Sequence, residues 1–184
     1  LLAYPLPTLK AYDPAYAFEL ATIIEDGIKR MYVDQEDLFY YVTVMNENYA
    51  QPPMPKGKSV KEGILKGLYK FSASKLKETK LRVQLLGSGT ILNHVVEAQK
   101  ILAEKYNVAA DVWSVTSYKE LHYDAAQAER WNMFHPDKKK KTAYVTDALK
   151  NAQGPIIAAS DYVRALPESI SKWLPRPMFS LGTD

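Results

Sequence analysis

A cluster of polar side chains directly follows an almost wholly apolar run of the sequence, residues 38–45 (LFYYVTVM). The cluster consists of Asn46, Glu47, Asn48 and Tyr49. In α/β proteins, ligands bind at the carboxyl ends of strands, so these amide, carboxylate and phenol groups are candidates for the rim of a binding site. A polar linker with no binding role is the alternative interpretation.

A second candidate is the turn Gly87-Ser88-Gly89, between a predicted strand and a predicted helix. Backbone N–H groups at a helix start can hold a phosphate, so the turn could serve a nucleotide-binding oxidoreductase domain. The third glycine of the dinucleotide fingerprint is absent, and the next strand ends in Ser114 to Ser117 without the acidic residue that binds a ribose hydroxyl. A tight strand-to-helix turn is the favoured interpretation, with nucleotide binding as the alternative.

Residues suited to metal binding or nucleophilic catalysis are scarce in this sequence. The histidines, His94, His122 and His135, lie far apart, and none has a second histidine or a carboxylate at a typical metal-site spacing. Because the chain has no cysteine, disulfides, thiolate metal sites and thiol nucleophiles are excluded. We therefore predict no metal site and no catalytic histidine.

The composition is that of a globular protein, with 47% hydrophobic and 24% charged residues. The formal net charge is only +3, and the lysine run 138–141 is predicted to be a solvated loop rather than a nucleic-acid interface. No apolar run approaches the roughly 18 residues of a membrane helix, and the first residues lack a secretory pattern. We expect a cytoplasmic protein without nucleic-acid or membrane partners.

The elements that must position the polar cluster are a helix and the apolar run that follows it. The helix is predicted to begin after Tyr12, with Asp13 as its N-cap and Pro14 as its first residue. Apolar residues at helical spacing predict its buried face, namely Ala17, Leu20, Ala21, Ile24, Gly27, Ile28 and Met31. The aromatic and β-branched run 38–45 is typical of a strand covered on both faces.

A second α/β unit is predicted around the glycine turn. Its strands are residues 81–86, 111–116 and 155–160, and helices of suitable length separate them. Ser117 with Glu120 forms a capping box at the start of one of these helices. We predict that the strands are parallel neighbours in one sheet, which gives an α/β fold with a mostly parallel sheet and helices on both faces.

A domain boundary is predicted in the proline-rich connection from Asn46 to Lys58, which contains three prolines and one glycine. Residues 1–56 would close one α/β domain with its last helix and strand, and residues 57–184 would form most of a second. The chain begins with Leu1 rather than Met, and its end (FSLGTD) reads like a strand running into a turn. We expect the sequence to be part of a longer protein.

Several sequence blocks resemble the homodimeric bacterial pyruvate dehydrogenase family, the decarboxylating component of the pyruvate dehydrogenase complex. The blocks are YDPAYAFELATIIEDGIKRMY, LFYYVTVMNENYAQPPMP, VQLLGSG, DVWSVTSYKEL, ERWNM and the final LGTD. They occur in the family's order and spacing over nearly the whole chain, which makes them far more specific than the glycine turn alone.

This resemblance implies a transketolase-like enzyme of three α/β domains that decarboxylates pyruvate on thiamine diphosphate with magnesium. Residues 1–56 would end the middle, pyrimidine-binding domain, and residues 57–184 would belong to a truncated C-terminal transketolase-like domain. The resemblance also implies that the family's substrate-handling histidine, metal ligands and activating glutamate lie before Leu1. No catalytic, cofactor or metal residue is therefore assigned in this chain.

The resemblance further implies two partners, a second copy of the enzyme and the lipoyl-bearing acetyltransferase component that receives the acetyl group. This chain would supply scaffold and dimer surface, and Asn46, Glu47 and Tyr49 would lie at the rim of the substrate channel. Related transketolases carry a phosphate-binding arginine where this chain has Asn46, which fits a small oxo acid without phosphate. A non-catalytic interaction module is the remaining alternative.

Overall fold

The computed structural model describes residues 2–57, 59–76 and 79–184. Among these residues, the strands are Leu9–Tyr12 (β1), Phe39–Val42 (β2), Tyr69–Ser72 (β3), Arg82–Gly87 (β4), Ala109–Ser114 (β5), Ile156–Ala159 (β6) and Met178–Leu181 (β7). The α-helices are Ala17–Ile28 (α1), Val60–Lys66 (α2), Ile91–Tyr106 (α3), Tyr118–Phe134 (α4), Tyr144–Leu149 (α5) and Ala165–Glu168 (α6). No helix in these ranges has the length and apolar character needed to cross a membrane.

The larger sheet has five strands in the order β3-β5-β4-β6-β7. Strand β4 pairs in parallel with both β5 and β6, and β6 pairs in parallel with β7, whereas β3 is antiparallel to β5. The three strands predicted near residues 81–86, 111–116 and 155–160 are therefore parallel neighbours, as predicted. The predicted α/β fold with a mostly parallel sheet is confirmed.

Successive side chains of β4 point to opposite faces of this sheet, and an apolar cluster lies on each face. Val83 and Leu85 pack with α3 on one face, and Leu86 packs with α4 and α5 on the other. Ser117 caps the start of α4, because its hydroxyl accepts the Glu120 N–H at 3.0 Å. The predicted capping box is not completed, because the Glu120 carboxylate bonds to Lys10 and Lys119 and the Ser117 N–H donates to the Gly67 carbonyl. Helices thus cover both faces, and the β4 side chains alternate between two apolar clusters.

A second sheet contains only β1 and β2 among the described residues, paired in parallel. Residues 46–57 after β2 form neither helix nor strand, in keeping with the predicted connection, and Lys58 lies outside the described residues. The prediction that the run 38–45 is covered on both faces is wrong for this part of the chain. Phe39 is 52% exposed and Tyr41 is 61% exposed, because α1 and α2 cover one face only.

Two predictions about α1 were also wrong. The helix begins at Ala17 with Tyr16 as its N-cap, rather than at Pro14 after Asp13, because the Asp13 side chain bonds elsewhere in the fold. Its buried residues are Glu19, Thr22, Ile23 and Gly27. Of these, Gly27 was predicted to be buried, whereas the predicted buried residues Ile24 and Ile28 are about half exposed. The helix is turned so that its most apolar stripe faces away from the described core.

Candidate functional site

The carboxyl ends of strands from both sheets meet around Asp13, the residue after β1. The Asp13 N–H donates to the carbonyl of Thr116, beyond the end of β5, at 2.7 Å. The Asp13 carbonyl accepts the N–H of Gly89, in the turn after β4, at 3.1 Å. Asp13 therefore joins the two sheets at the edge where α/β proteins bind ligands.

The carboxyl group of Asp13 fills the space in front of the glycine turn. It accepts a hydrogen bond from the Thr43 hydroxyl at 2.5 Å, and a β-carbon added at Gly89 would lie 3.0 Å from both carboxyl oxygens. Burial raises the pKa of Asp13, and the hydroxyls of Thr43 and Ser88 oppose this rise. The Asp13 side chain therefore occupies the space next to this turn.

This geometry removes the support for nucleotide binding at Gly87, Ser88 and Gly89. Gly89 has a φ of +51°, and a β-carbon at Gly87 would lie 3.0 Å from atoms of Leu92 and Val95. Both glycines are therefore explained by a tight turn and by close packing of α3 on β4. The place where a phosphate would sit holds Asp13, whose negative charge would repel it.

The predicted rim residues differ in their surroundings. Asn46 and Glu47 are exposed and leave an amide and a carboxylate free to meet a ligand. Tyr49 is half-buried, donates its phenol to the carbonyl of Ala15 and packs edge-on against Tyr16, with ring centroids 6.1 Å apart. Tyr49 therefore holds the segment against α1, whereas Asn46 and Glu47 face solvent.

The histidines lie in unrelated surroundings. His94 is exposed on α3, and His122 packs against the rings of Tyr4 and Trp173 at 4.7 and 5.3 Å, where burial lowers its pKa. His135 stacks on Trp131 at 4.5 Å and donates Nδ1–H to the Trp131 carbonyl. No cluster of three metal-ligating side chains occurs in the residues that the structure describes.

Glu19 is a key residue that the sequence analysis did not identify. It is fully buried, and one carboxylate oxygen accepts the N–H groups of Ala15 and Tyr16 at 2.5 and 3.0 Å. The other oxygen accepts the hydroxyls of Tyr69 on β3 and Ser114 on β5, both at 2.6 Å. Its position in the first turn of α1 suggests a cap, but its burial depends on residues far away in sequence.

Comparison with known proteins gives matches along most of the chain. Residues 1–52 match the family model described as the pyruvate dehydrogenase E1 component middle domain, and residues 67–184 match the transketolase-like C-terminal domain. The pyruvate dehydrogenase E1 component of Pseudomonas aeruginosa is 50% identical over 100% of this chain and 21% of the relative. That of Escherichia coli K12 is 45% identical over 97% of this chain and 20% of the relative.

The fold is also found in solved structures of low sequence identity. A transketolase from Leishmania mexicana aligns with a TM-score of 0.59 at 14% identity, covering 100% of this chain and 22% of that one. A Pichia stipitis transketolase in complex with sedoheptulose 7-phosphate aligns with a TM-score of 0.57 at 16% identity, covering 96% and 21%. The chain thus spans about a fifth of the length of these relatives and of these two transketolases.

Proposed function

Because this chain belongs to the transketolase-like family, among the pyruvate dehydrogenase E1 components, we propose that the protein carrying it oxidatively decarboxylates pyruvate on thiamine diphosphate. The acetyl group then passes to the lipoyl domain of an acetyltransferase component. The observation that carries this proposal is the 50% identity over the whole chain, across both matched segments. The test is an assay of the intact protein for pyruvate decarboxylation and for acetylation of a lipoyl domain.

The residues that the structure describes do not offer a fitting site for the diphosphate and magnesium of the cofactor. A divalent ion and a diphosphate need converging oxygen ligands and backbone donors, and magnesium prefers a near-octahedral oxygen shell. The glycine turn at the start of α3 is filled by Asp13, and the described residues hold no cluster of metal ligands. We propose that segments outside this chain bind thiamine diphosphate and magnesium.

The contribution of this chain in our proposal is scaffold and dimer surface, in a protein that acts in the cytoplasm as a homodimer. Exposed apolar side chains on α1 and β2 support this role, notably Ile24, Ile28, Phe39 and Tyr41. Ile24 and Ile28 lie on the outer side of α1, and Phe39 and Tyr41 lie on the uncovered face of β2. Exposed groups of large apolar side chains are typical of surfaces that meet another protein element. Asn46 and Glu47 are proposed to border the substrate channel, with Tyr49 anchoring this rim.

We expect Asn46→Ala in the intact enzyme to lower kcat/KM for pyruvate about tenfold, because an exposed amide at the rim would orient substrate, while stability changes by less than about 0.5 kcal/mol. Tyr49→Phe is the matched variant, since it removes the bond to the Ala15 carbonyl and should lower the unfolding free energy by about 1 kcal/mol. Steady-state kinetics and urea unfolding measure both effects. Unchanged kinetics for Asn46→Ala would leave only the linker interpretation.

We expect the 184-residue chain alone to bind thiamine diphosphate with magnesium too weakly for a saturable titration. The physical reason is that Asp13 occupies the helix start at the glycine turn, where its carboxyl group would repel a phosphate, and that the described residues hold no cluster of metal ligands. Isothermal titration with cofactor and MgCl₂ measures this directly. Saturable heat that a metal chelator abolishes would show that the cofactor site lies within this chain.

A further inference from the structure

A cavity of about 480 Å³ lies where the segment before β1 crosses the carboxyl ends of β1, β2 and β5. Its walls are mainly apolar and aromatic, with Leu9, Val115 and Leu166 among the aliphatic residues and Tyr4 and Tyr12 among the tyrosines. Small-molecule sites commonly have this size, this apolar lining and a few polar groups that fix orientation. The cavity therefore has the size and lining of a ligand site.

The polar group that most needs an explanation in this cavity is the hydroxyl of Tyr118, at the start of α4. Tyr118 is 4% exposed and lines the cavity, and among the described residues its hydroxyl has no hydrogen-bond partner. A buried hydroxyl without a partner is destabilising, so such groups are rare in folded proteins. A bound molecule that hydrogen-bonds to Tyr118 would remove this penalty.

The charges around the cavity define the ligand chemistry. Asp13 and the Thr43 hydroxyl line the cavity, and the Thr43 hydroxyl already donates to Asp13. Lys119 also lines the cavity, but its ammonium group bonds to Glu120 at 3.1 Å, as does Lys10 at 2.8 Å. A negatively charged ligand would thus meet a carboxyl group and no unengaged cation among these residues.

We propose that this cavity binds a small, mostly apolar molecule whose polar head carries N–H donors and no negative charge. The apolar body packs against the aliphatic and aromatic walls, and the head donates to the Tyr118 hydroxyl and the Asp13 carboxyl group. The assignment stands on the cavity and its polar groups and does not depend on the reaction proposed above.

Three probes of nearly equal shape test the head-group chemistry, namely benzamide, benzamidine and benzoate. Titrated into the 184-residue chain and followed by amide NMR shifts, benzamide and benzamidine should saturate and shift residues around Tyr118. Benzoate should bind at least about tenfold more weakly, since it offers no donor and carries a negative charge. Equal binding of all three, or shifts confined to other surfaces, would overturn the proposal.

Two variants separate a binding role for Tyr118 from a packing role. Tyr118→Phe should weaken benzamide binding about tenfold but raise the Tm of the ligand-free chain by about 2–4 °C, because the unpartnered hydroxyl is removed. Ala11→Met should abolish binding by filling the cavity, and Ala73→Met at an exposed position is its control. A lower Tm for Tyr118→Phe, or unchanged affinity in Tyr118→Phe and Ala11→Met, would contradict the assignment.

Discussion

Replacing Glu19 by alanine is expected to lower the unfolding free energy by about 3–5 kcal/mol, a large share of the stability of a typical domain. The substitution leaves four donors without their acceptor in a fully buried place, namely two backbone N–H groups and the hydroxyls of Tyr69 and Ser114. An unpaired buried donor is costly even though each hydrogen bond contributes only modestly. Urea unfolding followed by circular dichroism measures the loss.

Two variants control this prediction. Glu19→Gln keeps the shape of the side chain but places an amide NH₂ group against hydrogen-bond donors. We expect it to lower the unfolding free energy by about 2 kcal/mol. Glu25→Ala lies on the same helix, where its ion pair with Lys61 is exposed, and it should change stability by less than about 0.5 kcal/mol. A loss below about 1 kcal/mol for Glu19→Ala would mean that water or repacking replaces the carboxylate.

The central sheet could be predicted from sequence because its signals are local. Strands β4, β5 and β6 are apolar runs, the glycine turn separates β4 from α3, and Ser117 with Glu120 marks the start of α4. Each signal lies within a few residues of the element that it predicts. Short strands without such a pattern, β1 (LKAY) and β3 (YKFS), were not predicted.

The start and the buried face of α1 were predicted wrongly for a different physical reason. Apolar residues occur on more than one side of this helix, and the buried side includes Ile23, which was not predicted, whereas Ile24 and Ile28 are exposed. Gly27 allows the ring of Tyr40 to approach closely, since an added β-carbon would lie 3.3 Å from it. Helical spacing identifies apolar stripes, but tertiary contacts decide which stripe is covered.

The candidate site could be predicted only in outline. The position of Asn46 and Glu47 after a strand follows from the sequence, but the role of Asp13 depends on Thr43 and Gly89, which are distant along the chain. Aspartate before proline is a common helix start, so the local pattern favoured a cap. The fold instead uses this carboxyl group to join β1, β2 and the glycine turn.

Gly154→Ala is expected to destabilise the chain by at least about 3 kcal/mol, because two penalties add at this position. Gly154 has a φ of +82°, which L-residues adopt at a cost of about 1–2 kcal/mol, and its new β-carbon would overlap the carbonyl oxygen of Arg82 at the start of β4. To relieve this overlap, β6 must move away from β4, where the Gln84 N–H donates to the Pro155 carbonyl at 2.9 Å.

Gly57→Ala is the control that measures the conformational penalty alone. At Gly57 φ is +153° and the nearest atom to an added β-carbon, a Val60 methyl carbon, lies 3.5 Å away. This variant should therefore lower the unfolding free energy by only about 1 kcal/mol. Urea unfolding measures the loss of unfolding free energy in both variants, and the difference between the two losses is the cost of the steric overlap at Gly154. Equal losses would show that the chain relieves the overlap without separating β4 from β6.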